Sequence, residues 1–362
     1  MFSSQPITNR SFTIMVIFFM IGTSILIAPN ALALNAKQDA WLSCLLGVVI
    51  NLLLVWLYVV LGERHPEQTL VGYSEKLLGK WIGKFVGLLF ALFCYLLASL
   101  MVGDMGYFLT TQALVETPIE YLQMLFVVSI VVAIREGLQV YSRVVEIFFP
   151  WILLLFLVLI VSLAPQFDLD KLKPVLEFGM APVMKGSFSF FSLQEMVVLL
   201  MLYPFITKGK GRGRGFIIGT LIGGIVLVVT TMGSIVVLDY TQTANNFFPT
   251  YVMAKNISIG QFLERLEGMM MLIWILSIFV KVAITFHAAI IGIAQVFRID
   301  EKILIWPLAI GMIVLSLMCY TNVIYVQHFL SLIWTPFASV FMLVIPLILL
   351  GVSLLRKSAS VG

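Results

Sequence analysis

Residues 186–204 read GSFSFFSLQEMVVLLMLYP. The stretch is long enough to span a bilayer, whose hydrocarbon core takes about 20 residues of helix. Its first half alternates Ser with Phe, and its middle carries Gln194 and Glu195. Glu195 lies nine residues from Gly186 and nine from Pro204, so neither end offers it an easy route to water. An ionisable side chain at mid-depth costs about 2.5–3.5 kcal/mol on insertion scales. Two readings compete. The bland one is a Glu that snorkels, or that pairs with another helix for structural reasons alone. The sharper one is a cavity-lining residue on a broken helix.

The rest of the chain supplies the setting. Of its 362 residues, 61% are hydrophobic and 11% charged, against about 45–50% and 25% in soluble domains. That composition predicts an all-α polytopic membrane protein. The net charge of +4 is spread over short loops, so it reports topology and excludes a nucleic-acid partner. Cys44, Cys94 and Cys319 fall in apolar spans without CxxC spacing, and His65, His287 and His328 are scattered. Neither a disulfide framework nor a metal site is expected, and no cofactor. The apolar run from Phe12 to Ala31 superficially resembles a signal peptide, but it exceeds a typical h-region and only Arg10 precedes it. A retained first transmembrane helix is expected.

Ten spans are predicted, near 12–31, 41–61, 85–114, 118–134, 144–163, 187–206, 216–237, 268–297, 303–320 and 329–355. Of the 22 Lys and Arg, fifteen fall on the side of the N-terminus and six on the other, with Lys281 left inside a span. This bias places both termini in the cytoplasm. The basic loop KGKGRGRG (208–215) lacks the context and ending of a phosphate loop. It reads as a flexible cytoplasmic turn that touches anionic lipid. Residues 65–84 have the spacing of a helix lying at the interface. Arg143 and Glu146, three apart, are expected to pair. Residues 165–185 and 238–266 form the long outer loops, the second with a capping box at Ser258–Gln261 and a short helix over 259–266.

The first span has its own interruption. Gly22, Thr23 and Ser24 sit at mid-membrane, where hydroxyl groups can satisfy backbone freed by unwinding. Breaks in the first and sixth spans of ten match two five-helix halves of inverted topology, 11–163 and 187–355, within a single domain (1–362). Discontinuous helices at corresponding places point to a binding site at the midplane. Half-helix N-termini there favour a carboxylate and unwound carbonyls an ammonium group, which together suit an amino acid. Phe190 and Phe191 would close over its side chain, with Ser192 and Thr285 as further ligand-binding candidates. Lys281 is the second deep charge, with Thr285 and His287 beyond it. It is read as a fixed cation between helices, or as half of a structural pair with Glu195 or Asp104. Asp104 lies nearer the outer face, and Tyr95 is a candidate pocket wall. No nucleophile elbow, metal motif or catalytic carboxylate pair is present, so no enzyme is expected.

Several motifs together resemble the B subunits of bacterial spore germinant receptors, within the amino acid–polyamine–organocation transporter superfamily. They are IGTSILIAP (21–29), EKLLGKWIGK (75–84), GLQVYSRVVEIFFP (137–150), SLQEMVVLLMLYPF (192–205), FPTYVMAKNISIGQFLERLE (248–267) and FVK (279–281). The resemblance implies a leucine-transporter-like fold with helices 1 and 6 broken. It implies a nutrient pocket between the first, third, sixth and eighth spans. It also implies A and C receptor subunits as partners, in the inner membrane of the spore, with germinant binding acting as a signal. The alternative is a proton-coupled amino acid permease working through Lys281.

Overall fold

A computed structural model describes residues 6–209, 211–255, 267–320 and 329–359. The described chain is helical, with one parallel bridge joining Ile7 to Ile206. Eight of its helical stretches are long and apolar enough to cross a membrane, which makes the chain an integral membrane protein. One of the eight, Ser24–Arg64, has 41 residues, about twice what a bilayer needs. A 3-10 turn over Lys37–Asp39 divides it, with Lys37 at φ 53°.

The first helix, α1 (Asn9–Ile21), starts at Thr8, whose hydroxyl accepts a hydrogen bond from the Ser11 amide at 3.0 Å. Such a cap satisfies a backbone donor that the first turn leaves free. It stops at Gly22, and α2 (Ser24–Ala36) follows at once. Beyond the 3-10 turn runs α3 (Ala40–Arg64). The expected interfacial helix is α4 (Leu70–Leu78), ended by Gly79 at φ 87°. Here the structure corrects the boundaries. Glycine adopts that conformation at no steric cost, so the chain turns there and α5 (Lys80–Phe108) begins earlier than its hydropathy suggests. Trp81 therefore belongs to α5, and Leu70, Tyr73 and Leu77 of α4 are buried.

Next come α6 (Ile119–Glu136), whose charged residues sit at its ends, and α7 (Leu138–Leu163). The predicted Arg143–Glu146 pair does not form among the described residues. Glu146 instead accepts a hydrogen bond from the Ser11 hydroxyl at 2.7 Å, joining α7 to α1. Helix α8 (Met180–Ser192) begins inside what reads as an outer loop and is followed by 3-10 turns over Met196–Met201 and Tyr203–Phe205.

The basic loop is also more ordered than its composition suggests. Helix α9 (Gly211–Leu238) takes over its second half. Arg212 is buried against the Tyr203 ring at 4.5 Å, and Lys208 pairs with Glu67 at 2.6 Å. Two short helices, α10 (Tyr240–Asn245) and α11 (Pro249–Lys255), precede α12 (Glu267–Phe297) and α13 (Glu301–Cys319). The capping box at 258–261 and the helix over 259–266 lie outside the described residues. The last span runs through Thr335–Ser339 and Ile345–Ala359, each preceded by a π turn. Pro336 and Pro346 remove a backbone donor at those places, which favours the wider turn.

Packing follows the apolar pattern. The middle of α12, from Ser277 to Ile291, is buried almost throughout, as expected of a helix that is apolar on all sides. Helix α5 packs along it, α1 packs on α9, and α3 on α8 and α9. By contrast α7 and α13 are only 22% buried over their apolar windows. They form the periphery.

Candidate functional site

Two helix interruptions face each other at the centre of this bundle. At the first, Gly22 takes φ 21° and ψ −120°. A Cβ at Gly22 would run into the Lys281 side chain, so only glycine lets the backbone pass so close to α12. At the second, α8 ends at Ser192 and the chain turns through Leu193 and Gln194 into Glu195. Glu195 adopts the left-handed conformation, φ 35° and ψ 36°, which is uncommon and unfavourable for a residue with a Cβ. Held strain of this kind clusters at binding and switch sites.

The interruption leaves backbone carbonyls without helical partners, and side chains take them over. Lys281 donates to the Leu193 carbonyl at 3.0 Å, and the Trp334 indole donates to the Ser192 carbonyl at 3.0 Å. Lys281 Nζ also lies 2.9 Å from Glu195 Oε2, 3.4 Å from Thr23 Oγ1 and 5.3 Å from the Phe19 ring centre. The Glu195 contact is ionic; its orientation is not that of a good hydrogen bond. Finally, Gln194 donates to the Ser24 hydroxyl at 3.0 Å. One ammonium and one amide thus tie the two breaks together.

Beside this cluster is a narrow, partly open cavity of about 40 Å³. Thr23, Ser24 and Glu195 line it from the breaks, Met101 and Asp104 from α5, and Trp334 from the last span. Asp104 is buried and accepts a hydrogen bond from the Tyr320 hydroxyl, which also lines the cavity.

Of the residues predicted from sequence, Thr23, Ser24, Asp104 and Glu195 meet at this cavity, with Gly22 and Lys281 directly behind them. The others are placed elsewhere. Tyr95 donates to the Leu308 carbonyl of α13 at 2.9 Å. Phe190 packs where Gly47 of α3 leaves room, and Phe191 meets the edge of Phe188. The Ser192 hydroxyl lies 3.0 Å from that of Thr335, and Thr285 bonds back to the Lys281 carbonyl at 2.7 Å. Tyr320 and Trp334 were not predicted. An aromatic residue within an apolar span carries no sign that its polar atom faces a cavity.

A family profile described as spore germination protein matches residues 6–326. Spore germination protein KB of Bacillus subtilis (strain 168) is 30% identical over 322 residues, 87% of this chain and 86% of that protein. Spore germination protein YndE of the same organism is 28% identical over 302 residues, 82% of this chain and 83% of its own length. Among solved structures, MhsT in complex with L-phenylalanine superposes with a TM-score of 0.67 at 15% identity, covering 92% of this chain and 87% of that one. MHP1, a nucleobase-cation-symport-1 family transporter in a closed conformation with bromovinylhydantoin bound, gives 0.65 at 12% identity, covering 94% and 78%. The two likenesses establish a transporter fold of the leucine-transporter kind.

Proposed function

The chain belongs to the spore germination protein family, and we propose that it is the nutrient-binding subunit of a spore germinant receptor, taking a small amino acid in the cavity beside the two helix breaks. The observation that carries this reading is the Glu195–Lys281 contact at 2.9 Å joining both breaks next to that cavity. A transporter fold uses such breaks to offer free backbone groups to a zwitterion. The start of α2 suits the carboxylate: its N-cap, Thr23, makes no side-chain cap, and a helix N-terminus favours an anion.

The reading takes α1 and α2 as one broken span, separates α3 from them at the Lys37–Asp39 turn, and counts α6. Ten spans then form two five-helix halves of inverted topology, with both termini on the cytoplasmic side, the core side in a spore. Lys281 stands as a fixed cation between the first and eighth spans, where a transporter would hold a coupling ion. Ligand binding acts by differential affinity for two states of the receptor, since equal affinity shifts no equilibrium. The A and C receptor subunits of the spore inner membrane are the partners that receive the change.

Glu195→Gln and Lys281→Ala are expected to impair the germinant response more than they lower protein abundance. A response that merely tracks abundance would make these charges structural. The fold likeness at TM-score 0.67 favours a second reading, an amino acid permease coupled to protons. Uptake of labelled amino acid into liposomes, driven by a pH gradient, would establish the permease and overturn the pure sensor.

A further inference from the structure

The cavity holds more acid than base. Glu195 is matched by Lys281 at 2.9 Å, and Lys281 has two further protein oxygens in reach, from Leu193 and Thr23. Two of the ammonium's three donors therefore go to protein oxygens and its charge is matched by Glu195, so it is already engaged without a ligand carboxylate. Asp104 is different. It is 7% exposed, lines the same cavity, and has no ion-pair partner among the described residues. A buried carboxylate calls for a counter-charge as well as hydrogen bonds, and Asp104 accepts a hydrogen bond from the Tyr320 hydroxyl.

That hydroxyl is placed by a feature of α5. A Cβ on Gly103 would overlap the Tyr320 ring, so the bare backbone at residue 103 lets the ring lie against the helix beside Asp104. The arrangement is a held carboxylate facing a cavity, with the local cation already engaged. We propose that Asp104 is the ammonium anchor of this cavity, positioned by Tyr320, and that the site therefore selects small ligands bearing a protonated amine. The inference rests on the cavity being the nutrient site and adds the chemical class of ligand that the site accepts.

The test uses the purified full-length chain in detergent, with intrinsic tryptophan fluorescence and thermal melting as readouts. The probes are the twenty proteinogenic amino acids. For each responder the amine lacking its carboxylate and the acid lacking its amino group are added; for alanine these are ethylamine and propanoate. We expect the amine to retain saturable binding and the acid to lose it. Asp104→Asn, which keeps the shape and removes the charge, should weaken the responding amino acid at least tenfold. Tyr320→Phe should weaken it severalfold with the melting temperature of the unliganded protein unchanged. Binding of the acid as tight as that of the amino acid overturns the anchor, even if Asp104→Asn fails to fold. Asp104→Asn binding within twofold of wild type overturns the anchor and leaves the nutrient site standing. Absence of any saturable amino acid response in the wild type overturns the nutrient site, and the anchor with it.

Discussion

Lys281 touches both helix breaks, the Phe19 ring of α1 and the carboxylate of Glu195. Taking two charges out of water is costly, and a buried pair is weak evidence of stability for its own sake. Removing one partner is a different matter, because the other charge is left stranded. Lys281→Met is therefore expected to destabilise by about 3–5 kcal/mol, read as a drop in melting temperature in detergent. Adding Glu195→Gln to it should recover much of that loss. A double variant as unstable as the sum of the singles would show that the pair is not the coupled unit described. Gly22→Val tests the close approach at the first break. Its Cβ would displace the Lys281 side chain, and amino acid binding should disappear. At this scale the sequence is legible where chemistry conflicts with depth: Glu195 and Lys281 stand out because apolar spans rarely hold charges, and they lie 2.9 Å apart. Thr285 of the unbroken α12 bonds back to its own helix, while Phe190 and Phe191 lie away from the cavity because helical spacing carries no phase across a break. Once α8 stops at Ser192, the faces before and after it are unrelated.

Helix ends and straps decide how the elements are held. Asn30 on α2 donates to the carbonyls of Ala244 at 2.7 Å and Asn246 at 2.8 Å, with Thr243 at 3.4 Å, and so pins α10 to the second half of the broken span. Asn30→Ala leaves these carbonyls without their donor and should cost about 1–3 kcal/mol, measurable as earlier melting and faster proteolysis near residue 245. At the opposite end of the bundle, His65 stacks on Tyr73 with ring centres 5.2 Å apart, and its Nε2 lies 3.1 Å from the Ser353 hydroxyl. Burial, with Lys76 and then Arg64 nearby, holds its imidazole below the ordinary value of 6.5. As pH falls through 6.5 the unfolded chain takes up this proton first. Stability is thus full above 6.5 and declines below it, and His65→Gln should flatten that decline in a melting series from pH 8 to pH 5. These contacts were not legible in advance. Hydropathy locates spans, yet it does not say that Gly79 ends one helix and starts another, or that Arg212 folds into a buried stack on Tyr203.

For the molecule as a whole, the membrane class and the fold follow from composition, the run of apolar spans and the paired breaks in Gly22–Ser24 and Leu193–Glu195. The outcome that composition cannot supply is which polar groups meet, because Asp104, Glu195 and Tyr320 at the cavity and Lys281 behind it come from four segments far apart in the chain. Their convergence gives the bundle a polar centre lined by the two breaks, α5, Tyr320 and Trp334, with α12 behind it. On the proposed reading, the chain binds its amino acid without moving it across the bilayer. Equilibrium binding of labelled amino acids to the purified chain reads the occupied centre itself. The expected result is saturable binding of at least one small amino acid, one site per chain, abolished by Gly22→Val while the variant still melts cooperatively. The contrary result is that no amino acid binds saturably, or that Gly22→Val binds with wild-type affinity.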